Sequence, residues 1–207
     1  AGVGKTTIAR ILAKCLNCES DTKPTSKPCN KCSNTTEITA GRSVDFLEID
    51  AASNTQVEKI RDLIETVEYK PAKGRYKIFL IDEVHMLSTA SFNALLKTLE
   101  EPPPHVVFIF ATTNPEKIPK TVQSRCLQLS LKTVNEEMLN NHLNQILKKE
   151  KIKHDDKSTE LISKSANGSV RDALTILDQA IAHGNGELNS NEVKKLLGTI
   201  DDSLLFE

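Results

Sequence analysis

The sequence predicts an α/β sandwich built on a parallel sheet, followed by an all-α domain. Four apolar runs, 46–49, 78–81, 106–111 and 127–131, read as strands. Most of them lack polar alternation, as strands covered on both faces do. Helical patterns at 56–69 and 90–99 fall between them, the second stopped by Pro102, Pro103 and Pro104. Strand alternating with helix argues for layers of helices on a sheet. After Lys132 the strand signals stop, and 136–149, 158–166, 170–182 and 192–197 read as amphipathic helices broken by Gly168, Gly184 and Gly186. That shift puts a domain boundary near Thr133.

The first stretch, Gly2, Val3, Gly4, Lys5, Thr6 and Thr7, reads as the end of a phosphate-binding loop, G-x-x-x-x-G-K-[ST]. Glycines are needed there because backbone N–H groups must close around phosphate oxygens without a Cβ in the way. Lys5 is placed to reach β- and γ-phosphates, and the Thr6 hydroxyl to complete the shell of a Mg²⁺ ion. Ile8, Ile11, Leu12 and Leu16 are spaced like one helix face, which puts the loop at a helix N-terminus, where an anion is favoured. The first glycine of the pattern falls before Ala1, and no stop signal precedes Glu207. The chain is therefore expected to be cut at both ends, with a strand belonging before the loop.

Lys77 to Glu83 reads as a buried strand delivering two carboxylates at its C-terminal end, where open α/β sheets bind ligands. Asp82 fits a Mg²⁺ contact through water, opposite Thr6. Glu83 fits the polarisation of a water attacking a γ-phosphate. An acidic turn capping a strand is the plainer alternative; the phosphate loop upstream, in the expected order, argues against it.

The bulk numbers narrow the classes. A chain of 207 residues with 38% hydrophobic content can bury one good core and a small second one. A net charge of −1 creates no global field toward nucleic acid or membranes, so a DNA contact must be local or come from partners. No apolar run approaches the roughly 18 residues that span a bilayer. Four of the five cysteines lie between positions 15 and 32, which suits metal ligation in a reducing compartment, and the chain reads as cytoplasmic.

Together, GVGKTT, IDEVHMLS at 81–88, ATTNPEKIP at 111–119, SRC at 124–126 and GSVRDAL at 168–174 resemble the AAA+ clamp-loader ATPases of the bacterial DNA polymerase III holoenzyme. EIDAASN at 48–54 and LLKTLEEPP at 95–103 extend the resemblance over nearly the whole chain. It implies a P-loop NTPase (AAA+) sandwich over 1–133, a small zinc module at about 15–36 and a helical lid over 134–207, with a collar beyond. Thr113 matches the first sensor of the γ-phosphate or attacking water, with Asn114 as the neighbouring alternative. Arg125 matches the finger that reaches an adjacent subunit's nucleotide, a role suited to an always-charged planar fork. Arg171 matches the second sensor, joining the lid to the γ-phosphate. His85 receives no role.

Cys18, Cys29 and Cys32 match three zinc ligands of the family, and the fourth ligand position is occupied by Thr35, a poor zinc ligand. Two readings stay open: Cys15 restores a four-thiolate structural site, or the loop carries no metal. Ser53 and Gln56 have capping-box spacing. The family faces that helix start toward the DNA channel, so the amides of Asn54 and Thr55 are candidates for holding a DNA phosphate.

The resemblance implies ATP, Mg²⁺ and Zn²⁺ as cofactors, and as partners other clamp-loader subunits in a ring, the sliding clamp, primer-template DNA and the replicative polymerase, with no membrane. The activity implied is ATP-driven opening of the clamp and its loading onto primed DNA. The rival readings are another AAA+ DNA-remodelling motor and a non-hydrolysing stator.

Overall fold

The computed structural model describes residues 2–53 and 57–204, which form two compact units. One is Lys5–Leu129; the other is Ser130–Glu207 together with Ala1–Gly4.

In the first unit three parallel strands run β1 (Phe46–Asp50), β2 (Lys77–Asp82) and β3 (Val106–Phe110), with β2 in the middle. Phe46 pairs with Ile78, and Ile78 with Val107. Ile78, Phe79, Leu80 and Ile81 are all fully buried, because successive side chains of a strand point to opposite faces and both faces here are covered. Phe79 and Ile81 pack with Ile60 and Leu63 of α3 (Val57–Val67) and with Phe92 and Leu95 of α4 (Thr89–Glu100). Ile78 and Leu80 pack on the other face with Ala9 and Ala13 of α1 (Lys5–Asn17) and Ile38 of α2 (Ser33–Thr39). The result is a helix–sheet–helix sandwich. Ser88 caps α4 by accepting the Ser91 N–H at 3.1 Å. A four-residue helix α5 (Lys120–Gln123) follows β3.

One expectation is corrected. The run 127–131 joins no ladder among the described residues, and Leu127 and Leu129 are 88% and 74% exposed. Its pattern is that of a strand, but strand formation depends on a neighbouring backbone and packed faces rather than on residue type alone. In α1 the face that meets the sheet is made of small residues. Small Ala9 and Ala13 let the helix approach β2, while Ile8, Ile11 and Leu12 are exposed. The expected Ser53–Gln56 cap, with Asn54 and Thr55, lies partly outside the described residues. Ser53 itself donates to Asp50 Oδ2 at 2.6 Å.

The second unit packs α6 (Glu136–Lys149), α7 (Asp156–Ser165), α8 (Val170–His183) and α9 (Ser190–Leu204) around Leu139, Leu143, Leu147, Ile162 and Leu177. Each of the first three begins at a side-chain cap: Asn135, Asp155 and Ser169 accept N–H bonds from Met138, Ser158 and Asp172. Glu136 and Glu137 open α6 and Lys148 and Lys149 close it, as the helix dipole favours. Gly168 precedes α8 at φ +78°, and a Cβ there would strike the Val134 carbonyl, so only glycine fits. Among the described residues no helix is long and apolar enough to cross a membrane.

Candidate nucleotide site

Three segments of the sandwich bring polar groups to the C-terminal end of β2. The first is the start of α1, which carries Lys5 and Thr6. The Thr6 hydroxyl donates to Asp82 Oδ2 at 2.8 Å, and Lys5 Nζ lies 3.9 Å from Glu83 Oε1. The second is β2 itself, which ends at Asp82; its other oxygen accepts the Glu83 N–H at 2.9 Å. Glu83 adopts φ 47°, a left-handed conformation that costs a non-glycine residue about 1–3 kcal/mol. That turn swings the chain away from the sheet and into a short 3₁₀ segment, Val84–Met86. The third segment follows β3, where Thr113 donates to Glu83 Oε2 from its hydroxyl at 3.0 Å and its amide at 3.3 Å.

Lys5, Thr6, Asp82, Glu83 and Thr113, chosen on sequence, therefore stand together. His85 also belongs here, though its sequence signal was a lone histidine. Its Nδ1 lies 3.3 Å from Glu83 Oε2 and 2.9 Å from Thr112 Oγ1. Asn114 is turned to Thr112, donating its amide to Thr112 Oγ1 at 3.0 Å. A cation, a hydroxyl and two carboxylates at a helix N-terminus can hold a metal-bound anion and orient a water beside it.

The remaining site residues lie elsewhere. Arg125, just after α5, pairs with Glu100 Oε1 at 2.7 Å and donates to the Thr121 carbonyl at 2.6 Å. In the helical unit, Gly2 has φ +73° and its carbonyl accepts the Val170 N–H at 3.1 Å, at the head of α8. A Cβ on Gly2 would collide with Ser169 Oγ. Arg171, the second residue of α8, has an exposed side chain.

The sulfurs of Cys18, Cys29 and Cys32 lie within 4.8 Å of one another. Cys29 and Cys32 sit on a turn opened by Asn30 at φ 53°. Cys18 Sγ accepts the Cys29 N–H at 3.3 Å; Cys29 Sγ accepts the amides of Lys31 and Cys32 at 3.5 and 3.3 Å. Those amides, Lys31 first and then Cys32, hold the Cys29 thiol down to about 6. In the metal-free chain, alkylation of Cys29 by iodoacetamide is therefore expected to fall to half its maximal rate near pH 6, as protonation removes the thiolate. Peptide mapping against pH checks this. A midpoint above pH 8 would contradict it.

Cys15 stays outside the cluster, which corrects its candidacy as the fourth thiolate. It lies within α1, whereas Cys18 comes just after the helix ends. Arg75 steadies the cysteine loop by donating to the carbonyls of Cys18, Asp21 and Lys23 at 2.6–3.1 Å.

Residues 1–135 match the family model described as DNA polymerase III, delta subunit, and residues 138–186 match that of the DNA polymerase III clamp loader subunit, ATPase lid domain. The chain belongs to the DNA polymerase III clamp-loader family. It is similar to the DNA polymerase III subunit tau of Salmonella typhimurium, 57% identical over 97% of this chain and 31% of that subunit. It is also similar to the subunit gamma of Buchnera aphidicola subsp. Baizongia pistaciae, 51% identical over 99% of this chain and 55% of that subunit. The chain thus spans about a third of the tau subunit that it matches. The Thermotoga maritima RuvB Holliday junction branch migration motor superposes with a TM-score of 0.66 at 16% identity, covering 96% of this chain and 58% of that one. At that identity the likeness concerns the AAA+ fold alone, a fold this clamp-loader chain shares.

Proposed function

We propose that this chain is the nucleotide-binding and lid part of an ATP-hydrolysing gamma/tau subunit of the clamp loader. The observation that supports the reading most is the meeting of Lys5, Thr6, Asp82, Glu83 and Thr113 at the end of β2, in a chain of this family. Gly2, Val3, Gly4 and Thr7 complete the phosphate loop around Lys5 and Thr6. Lys5 leaves Glu83 for the β- and γ-phosphates, and Thr6 and Asp82 hold Mg²⁺. That ion would supply the positive charge that neutralises the phosphates during transfer. Glu83, released from Lys5, accepts a hydrogen bond from the attacking water, and Thr113 fixes the carboxylate that does so. Arg171 binds the γ-phosphate from the lid. Arg125 acts on the nucleotide of a neighbouring subunit.

In this reading, residues 1–133 bind nucleotide and 134–207 form the lid. ATP binding arranges subunits into a ring competent to open the sliding clamp, and hydrolysis releases clamp and primer-template DNA to the replicative polymerase in the cytoplasm. Asn54 and Thr55 are the candidate DNA contacts. Cys18, Cys29 and Cys32 hold a structural zinc: three gathered sulfurs with amide hydrogen bonds fit that ion, and their loop is tied to the sandwich by Arg75.

The test is ATP hydrolysis by the full-length protein, with and without clamp and primed DNA. Stimulation by both is expected, and Lys5→Ala should abolish nucleotide binding. An ATPase indifferent to the clamp would favour another DNA-remodelling motor, and a chain that never binds ATP would favour a stator.

A further inference from the structure

We infer that His85 is a positioning residue for hydrolysis, fixing Glu83 so that Oε1 rather than Oε2 takes the proton of the attacking water. The inference rests on the reading that Glu83 activates that water. His85 belongs to the 3₁₀ segment Val84–Met86, whose backbone is tied down on both sides. The Val84 N–H donates to the Ala111 carbonyl at 3.0 Å, and the Leu87 N–H to the Val84 carbonyl at 3.1 Å. The His85 side chain is 9% exposed, and its Nδ1 stands 2.9 Å from Thr112 Oγ1 and 3.3 Å from Glu83 Oε2.

Those two neighbours set the tautomer. A bare Nδ1 lone pair would face a carboxylate oxygen, so the ring proton sits on Nδ1. Thr112 Oγ1 accepts that N–H and the Asn114 N–H, which engages both of its lone pairs. The Thr113 hydroxyl and amide donate to Glu83 Oε2 at 3.0 and 3.3 Å, on the same oxygen that His85 Nδ1 approaches. Three N–H and O–H groups therefore crowd the lone pairs of Oε2, while Oε1 meets Lys5 Nζ at a looser 3.9 Å. Once Lys5 turns to phosphate, Oε1 is the oxygen that water reaches. The proton of the water passes to Oε1 while its oxygen bonds the γ-phosphorus. The bond from that phosphorus to the β,γ-bridging oxygen breaks, giving ADP and inorganic phosphate. Without the His85 N–H the carboxylate is held by Thr113 alone and can swing out of line.

The experiment measures single-turnover ATP hydrolysis and equilibrium ATP binding by the full-length protein in the assembled loader, with clamp and primed DNA. His85→Leu, which keeps bulk and removes the ring N–H, should slow hydrolysis roughly 10- to 100-fold, the scale of a misplaced reacting group. ATP affinity should stay within about twofold, because His85 acts on the water-activating carboxylate and not on phosphate. His85→Asn, whose amide can put an N–H where Nδ1 stands, should restore most of the rate. His85→Gln, whose amide lies one carbon further out, should not. Added to Glu83→Gln, His85→Leu should cost nothing more, because a residue acting through Glu83 has nothing left to position.

An unchanged rate in His85→Leu, or losses that multiply in the double variant, would overturn the assignment. So would a parallel loss of ATP affinity, which would make His85 a structural prop. Nucleotide binding retained in Lys5→Ala, or full hydrolysis in Glu83→Gln, would remove the reading of the site itself. That outcome is separable from a slow Glu83→Gln beside a fast His85→Leu, which removes the histidine's role alone. Should His85→Leu not fold, the comparison of His85→Asn with His85→Gln decides, and equal rates in the two would sink the inference.

Discussion

Arg125→Ala is expected to reduce steady-state ATP turnover by the assembled clamp loader roughly 10³–10⁵-fold, the range for an arginine supplied to a phosphoryl transition state. Binding of nucleotide by the altered subunit itself should stay within about twofold, because in the proposed reading its own phosphates are held by Lys5 and Thr6. Within its own chain Arg125 is 34% exposed at the side chain and paired with Glu100, 2.7 Å away. An exposed pair of that kind contributes at most about 1 kcal/mol to stability, so the variant should fold. The proposed role requires only that this exposed pair open, which costs little. The measurement is turnover in assemblies carrying one altered subunit type, beside direct nucleotide binding to that subunit. Turnover within twofold of the unaltered protein, or lost nucleotide binding in the altered subunit, would remove the role in trans.

Glu83→Gln is the second large effect, with turnover falling roughly 10²–10⁴-fold while ATP binding is kept or tightened. An amide cannot draw a proton from the attacking water, but it preserves volume and can still accept from Thr113. Glu83 holds a left-handed backbone, the Thr113 hydrogen bonds and the Lys5 ion pair at once. Losing the negative charge frees Lys5, at 3.9 Å from the carboxylate, for phosphate. Single-turnover hydrolysis beside equilibrium ATP binding separates the two effects. Slow hydrolysis with equally weakened binding would make Glu83 a structural anchor, and an unchanged rate would move the base elsewhere. His85, between Glu83 and Thr112, is the first residue to examine in that case.

The candidate site was legible in the sequence where chemistry is written in adjacent residues. Lys5 and Thr6 follow glycines, and Asp82 and Glu83 close an apolar run, so spacing alone predicts their roles. His85 was missed because a histidine three residues past a strand end carries no periodic signal. In the sequence, Thr35 reads as a defect in a cysteine pattern. Its hydroxyl stands 3.2 and 3.9 Å from two sulfurs because the turn at Asn30 folds Cys29 and Cys32 back onto the first turn of α2. The run 127–131 failed for a different reason: alternating leucines describe a face, and a strand also needs a backbone partner.

The three paired strands, most of the longer helices, the order of the motifs and the pair of carboxylates can be read from residue order, because each depends on local periodicity or on neighbours in the chain. Folding in three dimensions sets which side of α1 meets the sheet, that Thr6 reaches Asp82 across 76 positions, and that Arg75 meets the Cys18 carbonyl across 57. Those outcomes depend on close approach between segments distant in the chain. Alanines allow that approach in α1, a left-handed Glu83 aims it at the end of β2, and Arg75 ties down the cysteine loop.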